Sequence, residues 1–297
     1  MSVINKSLTP QLLQSGFSAQ AIHELADAEQ TLSHFSIWNE LQNTILDLSD
    51  QQVFDAQTKL SEESNIHVYL IQMLNLLANL ENLKTEFESR GLLLSELIYD
   101  VWTKAEETRE CFGVYGLHCY DFFIPFLSFD RVSIGRLEYE NRIYRGSDIT
   151  CGGLSVNEGQ HVWGLHIPGG RALTKEACLD SFTRAFYYYG CTEERPLIMH
   201  CVSWLLNPEH KEMLSRPSNL LDFMDFFTPL ESVVLDGFPD AWRLYGKAAA
   251  GMPETWPEDN RLRRAYKKLI LAGGIPKRGA GIIVFDGNQV RTGRYSK

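Results

Sequence analysis

The segment "HIPGGRALT", His166 to Thr174, joins an apolar strand to an amphipathic helix and contains residues that could bind an anion. The first turn of a helix presents unpaired backbone N–H groups, and these groups and the helix dipole attract negative charge. Gly169 and Gly170 have no Cβ, so a phosphate could approach the backbone closely, and Arg171 could add a charge-assisted hydrogen bond. The spacing predicts an anion-binding turn. Ordinary turn chemistry is the alternative, because the segment contains neither GxxxxGK[ST] nor GxGxxG.

Two titratable side chains are candidates for proton transfer. His166 ends the strand that leads into the turn, and an imidazole with a pKa of about 6.5 suits a general base. A structural hydrogen bond to a neighbouring carbonyl is the competing role. Glu138, in "DRVSIGRLEYE", could act as a base through a water molecule, or could form a structural ion pair with Arg136 on the same strand face.

Other reactive residues carry weaker signals. Cys201, with His166 or His200 nearby, could form a Cys–His nucleophile, although a free cysteine in an apolar strand is usually a small buried hydrophobe. The histidines lack a ligand spacing such as HExxH, and the six cysteines show no CxxC spacing. We therefore expect no metal and reduced thiols.

The elements that must position these residues fall into two regions. Residues 1–127 show helical periodicity, including the apolar "HVYLIQMLNLLANL", and predict a helical N-terminal domain. Residues 128–297 predict an α/β domain in which helices separate five strands. The predicted strands are "DRVSIGRLEYE", "HVWGLHI", "PLIMHCVSWLL", "SVVLDG" and "GIIVFDG". The predicted helices are Thr174 to Tyr189, with Thr174 as cap, two short ones between Asn207 and Phe227, and Asp259 to Ala272.

Composition restricts the class of protein. The chain has 297 residues, 44% of them hydrophobic, and a formal net charge of −10. A broad nucleic-acid surface is not expected, because phosphate neutralisation requires excess Lys and Arg. The N-terminal "MSVINKSLTPQLLQSGF" lacks the apolar run of a signal peptide, and no segment approaches the roughly 20 apolar residues that span a bilayer. We expect a cytoplasmic protein without membrane partners. No pattern indicates an oligomeric state.

Five stretches in the expected order resemble a bacterial family of GNAT-like acyltransferase-domain proteins that have an N-terminal helical region. The stretches are "IGRLEYE" (Ile134 to Glu140), "HIPGGRAL" (His166 to Leu173), "CVSWLLNP" (Cys201 to Pro208), "SNLLDFMDFF" (Ser218 to Phe227) and "GAGIIVF" (Gly279 to Phe285). The resemblance implies an α/β (α+β) fold with a GNAT-like mixed central sheet and flanking helices.

The resemblance also implies an activity: N-acyl transfer from acetyl-CoA or another acyl-CoA to a small-molecule amine. In that fold the strand before the turn contacts the pantetheine arm, and the turn and helix N-terminus hold the pyrophosphate. His166 and Glu138 are then the expected catalytic residues. The expected CoA-binding residues are Ile167, Gly169, Gly170, Arg171, Ala172, Leu173 and Thr174.

One feature of the turn supports a second hypothesis. The usual GNAT turn has a glutamine or arginine ahead of its glycines, whereas this chain has "IPGGRA", in which Pro168 has no N–H to donate. A non-catalytic GNAT-like module that binds another small ligand or a protein is therefore the alternative. A hydrolase that uses Cys201 is a third hypothesis.

Overall fold

A computed structural model of the chain describes residues 4, 8–43 and 49–295. The chain divides into two compact units, Met1–Ser133 and Ile134–Lys297. The domain boundary expected between residues 127 and 128 stays a prediction. In the described residues, no helix combines the length and apolar composition needed to cross a membrane.

The first unit is built from helices, as its periodicity predicts. The apolar segment near residue 70 forms a helix whose residues 70–80 are all buried, because its apolar residues surround most of its circumference. Ser18 and Ser49 cap the helices that follow them through their hydroxyl oxygens. The helices are α1 (Thr9–Gln14), α2 (Ala19–Leu32), α3 (Ser36–Asn43), α4 (Asp50–Ser64), α5 (Val68–Asn82), α6 (Lys84–Ser89), α7 (Leu94–Phe112) and α8 (Tyr120–Leu127).

The second unit is organised around a mixed sheet. The strands are β1 (Arg131–Ile134), which spans the boundary between the units, β2 (Leu137–Ile143), β3 (Ile149–Cys151), β4 (Leu154–Val156), β5 (His161–His166), β6 (Leu197–Ser203), β7 (Thr228–Pro229), β8 (Val233–Val234) and β9 (Lys277–Phe285). Strands of this unit follow the order β2-β5-β6-β9-β7, with β8 on β9 and a separate β3–β4 hairpin. Strands β5 and β6 are parallel, and the other pairs along this path are antiparallel. The predicted mixed central sheet is confirmed.

The helices of the second unit are α9 (Lys175–Tyr188), α10 (His210–Met213), α11 (Asn219–Met224), α12 (Ala241–Tyr245) and α13 (Arg261–Leu271). Four of them, α9, α10, α11 and α13, lie where they were predicted, and α12 was not predicted. Thr174 caps α9, as predicted, by accepting the Ala177 N–H, and Asn260 caps α13 in the same way. Local capping chemistry determines both starts.

Different elements pack on the two faces of the sheet. Helix α9 packs on one face, where the Tyr139 hydroxyl lies 2.8 Å from Ser181 Oγ and the Phe182 ring lies 6.0 Å from Phe285. The β3–β4 hairpin packs on part of the other face. Its cluster consists of Tyr144, Cys151, Val156, Val162, Ile282 and Val284. The α9 face is thus sealed by a helix, whereas the hairpin covers the opposite face only in part.

The structure corrects two strand predictions. The single strand expected across "DRVSIGRLEYE" is two strands, because Gly135 adopts a φ of 65° and turns the chain between β1 and β2. Arg136 therefore precedes β2, and the strand face that it was expected to share with Glu138 does not exist. The strand expected at "SVVLDG" shortens to Val233–Val234, and the β3–β4 hairpin was not predicted.

We predict that Gly279→Ala destabilises the second unit. Gly279 lies on β9 opposite Ser203, and a Cβ there would lie 1.8 Å from the Leu206 carbonyl oxygen, which is backbone and cannot rotate away. The expected loss in the free energy of unfolding is about 3 kcal/mol, the upper end of ordinary overpacking. Urea titration measures it. The control is Gly251→Ala, whose Cβ meets only Thr255 Oγ1 and the Ala248 carbonyl, at 3.2 and 3.4 Å. Equal losses in both variants would contradict the prediction.

Candidate active site

The parallel strands β5 and β6 pair at only two positions and then part. Trp163 pairs with Met199 and Gly164 with His200. Beyond this point β5 continues to His166 and β6 to Ser203, with no further register pair between these described strands. The strands therefore diverge at their carboxyl ends. Backbone N–H and C=O groups border the gap and can hydrogen-bond an extended ligand.

His166 lies at the end of β5 beside this gap, and a carboxylate holds its ring. Its Nε2 lies 2.7 Å from Glu140 Oε2, and Arg142 Nη2 lies 3.3 Å from the same oxygen. All three side chains are partly exposed. A carboxylate that orients an imidazole and stabilises its protonated form is a recurrent arrangement for a general base.

Glu138 occupies a different environment from the one expected. It lies directly opposite His166 in the β2–β5 register, but it is 1% exposed. A buried carboxylate has little access to a mobile water molecule, whereas Glu140 reaches His166 directly. The catalytic role of Glu138 stays a prediction, and the geometry favours Glu140. The period-two pattern Glu138, Glu140, Arg142 on one strand face was the signal for Glu140.

The turn after His166 contains a glycine in the left-handed backbone conformation. Gly170 has a φ of 84°, and the Arg171 N–H donates to the Gly169 carbonyl at 3.1 Å. The buried Arg136 donates from Nε to the Ala172 carbonyl at 3.3 Å and so ties the turn to the chain just before β2. Because the turn directly continues β5, it lies next to His166 at the same end of the gap.

Some of the N–H groups at the start of α9 are already hydrogen-bonded within the helix cap. Thr174 Oγ1 accepts the Ala177 N–H at 3.2 Å, and the Thr174 carbonyl accepts the Cys178 N–H at 3.1 Å. In this conformation an anion cannot use the Ala177 amide. The predicted CoA contacts of Ile167, Gly169, Gly170, Arg171, Ala172, Leu173 and Thr174 stay predictions.

Residues 140, 164 and 200 form a row across the sheet on the face opposite α9. Glu140 is the register partner of Gly164, and Gly164 that of His200. A Cβ built on Gly164 would lie 3.3 Å from Arg142 Nε. The Arg142 side chain thus lies over Gly164, between Glu140 and the β6 strand. Only a residue without a side chain leaves this room.

His200 is held in its neutral form at this row. Burial disfavours the charged imidazole and the Arg142 guanidinium repels it, so the pKa of His200 falls from 6.5 to about 4. Its ring lies 5.3 Å from the Tyr144 ring, edge to face. Its Nδ1 is buried and has no hydrogen-bond partner in the described part of the protein. At neutral pH it offers one N–H and one lone pair.

Cys201, next to His200 in sequence, lies on the other face of the sheet. Side chains alternate along a strand, and Cys201 therefore points to the side covered by α9, where it is 1% exposed. Burial raises the pKa of its thiol to about 12. A thiol that stays protonated and inaccessible cannot act as a nucleophile. The structure contradicts the hydrolase hypothesis.

A family model described as the GNAT-like C-terminal domain matches residues 132–283. The chain belongs to this family. The matched region contains β5, the glycine turn, α9 and β6 in the expected order, and β5 and β6 part beyond Gly164. No curated protein matches the sequence.

Solved structures of acyltransferases have the same fold. One is an acyltransferase in complex with decanoyl-CoA and teicoplanin, 17% identical, with a TM-score of 0.67 over 95% of this chain and 88% of that one. Another is an acyltransferase in complex with decanoyl-CoA, also 17% identical, with a TM-score of 0.62 over 96% of this chain and 100% of that one. At these identities the likeness shows the fold of the GNAT-like protein and leaves its substrates open.

We predict a pH-dependent contribution of His200 to stability. The His200 imidazole becomes protonated near pH 6.5 in the unfolded chain and only near pH 4 in the folded chain. The contribution of His200 to the free energy of unfolding is therefore complete above about pH 6.5 and is lost as the pH falls toward about 4. The advantage of the natural protein over His200→Asn, measured by urea unfolding, should therefore shrink across this range. His210, whose pKa is also lowered to about 4, is present in both proteins and cancels. The exposed His161, changed to Asn, is the control. An advantage that stays constant from pH 7 to 4.5 would contradict the prediction.

Proposed function

We propose that this GNAT-like protein is an N-acyltransferase that moves an acyl group from coenzyme A to the amine of a small molecule. The observation that carries the proposal is the gap between β5 and β6, with the His166–Glu140 pair at its edge and the glycine turn at its end. An extended chain, a thioester and a phosphate group can then lie in sequence along one line. The structural likeness to acyl-CoA-bound acyltransferases supports the same function.

The parts of acyl-CoA fit the parts of this site. Pantetheine contains two amides, and the backbone groups that border the gap are suited to pair with them as a neighbouring strand would. The pyrophosphate would bind at the turn, where Gly169 and Gly170 leave the backbone accessible and Arg171 supplies positive charge. The thioester would then lie beside His166. This alignment would place the reacting carbonyl within reach of the imidazole.

The proposed chemistry needs one proton acceptor on the protein. The amine, after losing its extra proton to solvent, forms a bond from nitrogen to the acyl carbonyl carbon, and the carbon–sulfur bond to coenzyme A breaks. His166 takes the second proton from the nitrogen and passes it to the leaving thiolate, which becomes the thiol. Glu140 stabilises the imidazolium that forms. The products are an amide and free coenzyme A.

We predict that His166→Gln lowers kcat by about 10²–10⁴-fold, the ordinary contribution of a general base. Glu140→Gln should lower it by about tenfold and leave the affinity for acyl-CoA unchanged, because the glutamine still orients the ring but does not stabilise its charge. Release of the CoA thiol, followed with a chromogenic disulfide, measures both. His161→Gln is the matched control: it changes a histidine of the same strand that contacts Asn141 at the exposed end of β5. Equal losses in all three variants would contradict the assignment.

We predict that acyl-CoA stabilises the folded protein. A ligand present at 100 times its dissociation constant adds about 2.7 kcal/mol to the free energy of unfolding. Comparing acetyl-CoA with decanoyl-CoA in the same titration tests the expected acetyl group against the longer chain that the solved acyltransferases bind. Arg171→Met should weaken binding of both, and Arg195→Met, an exposed arginine just before β6, is the control. No stabilisation by either compound would contradict the proposal.

The cap of α9 favours a second candidate, the non-catalytic module. Thr174 occupies the Ala177 amide, and Pro168 has no N–H, so the turn offers an anion fewer donors than a bare helix start would. This candidate predicts binding of a small ligand without release of CoA thiol. It also predicts that His166→Gln leaves the affinity for that ligand unchanged. Release of the thiol by the natural protein with any amine would eliminate it.

A further inference from the structure

A cleft of about 910 Å³ opens on the face of the sheet that α9 does not cover. Its floor includes His200 on β6 and Ala280 on β9, and its two walls are residues 142–149 and residues 229–231. Ligand sites for drug-sized molecules range from about 300 to 1,000 Å³. The cleft is thus large enough for a small molecule. It includes His200, the last residue of β6 that pairs with β5, so it reaches the point at which the two strands part.

The floor of the cleft presents a neutral imidazole. His200 lines the cleft and its side chain is partly exposed. Its Nδ1 is itself buried, so a ligand in the cleft would meet the remaining, accessible part of the ring. Because burial and the Arg142 guanidinium hold the pKa of His200 at about 4, the ring is uncharged at neutral pH and can form a hydrogen bond with a polar group.

The walls combine apolar surface with two free charges of opposite sign. Ile143, Tyr144, Ile149 and Leu230 supply the apolar part. Arg145, on the first wall, and Glu231, on the second, form no ion pair within residues 8–43 and 49–295. Arg142 and Asp148 also line the cleft, so its ionised arginines and carboxylates balance. This balance disfavours a polyanion such as the phosphates of a nucleotide, and it favours a zwitterion.

We propose that this cleft binds the acyl acceptor and that the acceptor is an amino-carboxylic acid with an apolar side chain. Arg145 pairs with its carboxylate, the apolar wall covers its side chain, and His200 hydrogen-bonds it at the floor. Its amine then faces the gap between β5 and β6. This assignment rests on the proposed acyl transfer for the reaction, but the binding of the zwitterion does not depend on it.

Two matched probes test the carboxylate. L-Phenylalanine and 2-phenylethylamine share an amine and a phenyl ring, and only the first has a carboxylate. With a saturating acyl-CoA, we expect kcat/KM to be at least tenfold higher for phenylalanine, and Arg145→Met should reduce this preference to within about twofold. Arg195→Met is the control, because it removes an exposed arginine outside the cleft. A preference that survives Arg145→Met, or an equal loss for both amines, would overturn the assignment.

Binding without turnover provides the independent measurement. The ring signals of His200, assigned by comparison with His200→Asn, should shift on addition of phenylalanine to the histidine-labelled protein without acyl-CoA, and Arg145→Met should weaken this response at least tenfold. If no amine releases CoA thiol but the shift occurs, the proposed transfer fails and the zwitterion site stands. If phenylalanine leaves His200 unchanged, the site fails whatever the activity. A shift caused by decanoyl-CoA alone would identify the cleft as an acyl-chain site and would also overturn the proposal.

Discussion

The second unit depends on a parallel strand pair that is left incomplete. Strands β5 and β6 share only two register positions, but each is anchored on its outer side by a continuous antiparallel ladder: six pairs join β2 to β5 and seven join β6 to β9. The two outer ladders therefore hold the strands apart, and the gap does not need a ligand to stay open. A binding site that is preformed in this way loses less conformational entropy when it is filled.

Gly164, the last residue of β5 that pairs with β6, lies between the gap and the charged side chains around it. Without a side chain at this position, Arg142 crosses the strand and reaches Glu140 on one side and the surroundings of His200 on the other. The same guanidinium thus contacts the carboxylate that holds His166 and, after burial, is the second cause of the lowered pKa of His200. Two histidines on one sheet face consequently have different electrostatic surroundings, and only His166 has a carboxylate to stabilise its charged form.

Local features of the fold could be predicted from the sequence, and features that depend on distant pairing could not. The Thr174 cap of α9 and the buried helix α5 follow from residues within a few positions of each other. The break at Gly135 was missed because the residues on each side alternate like a strand, although the apolar positions change from Val132 and Ile134 to Leu137 and Tyr139 at this glycine. Glu138 was predicted and Glu140 was not, because the two lie on the same strand face and only the fold shows the contact between Glu140 and His166.

The two faces of the sheet differ in the burial of their ionisable side chains. On the α9 face, burial raises the pKa of Tyr139 and of the Cys178 and Cys201 thiols, so these groups stay protonated and serve as packing. On the opposite face, the side chains of Glu140, Arg142 and His166 remain partly exposed. Adjacent residues such as His200 and Cys201 therefore lie on opposite faces of the sheet, because side chains alternate along a strand. Among the described residues, the face of His166 thus brings an imidazole, a carboxylate and a guanidinium together, and the proposed acyl transfer would use this face.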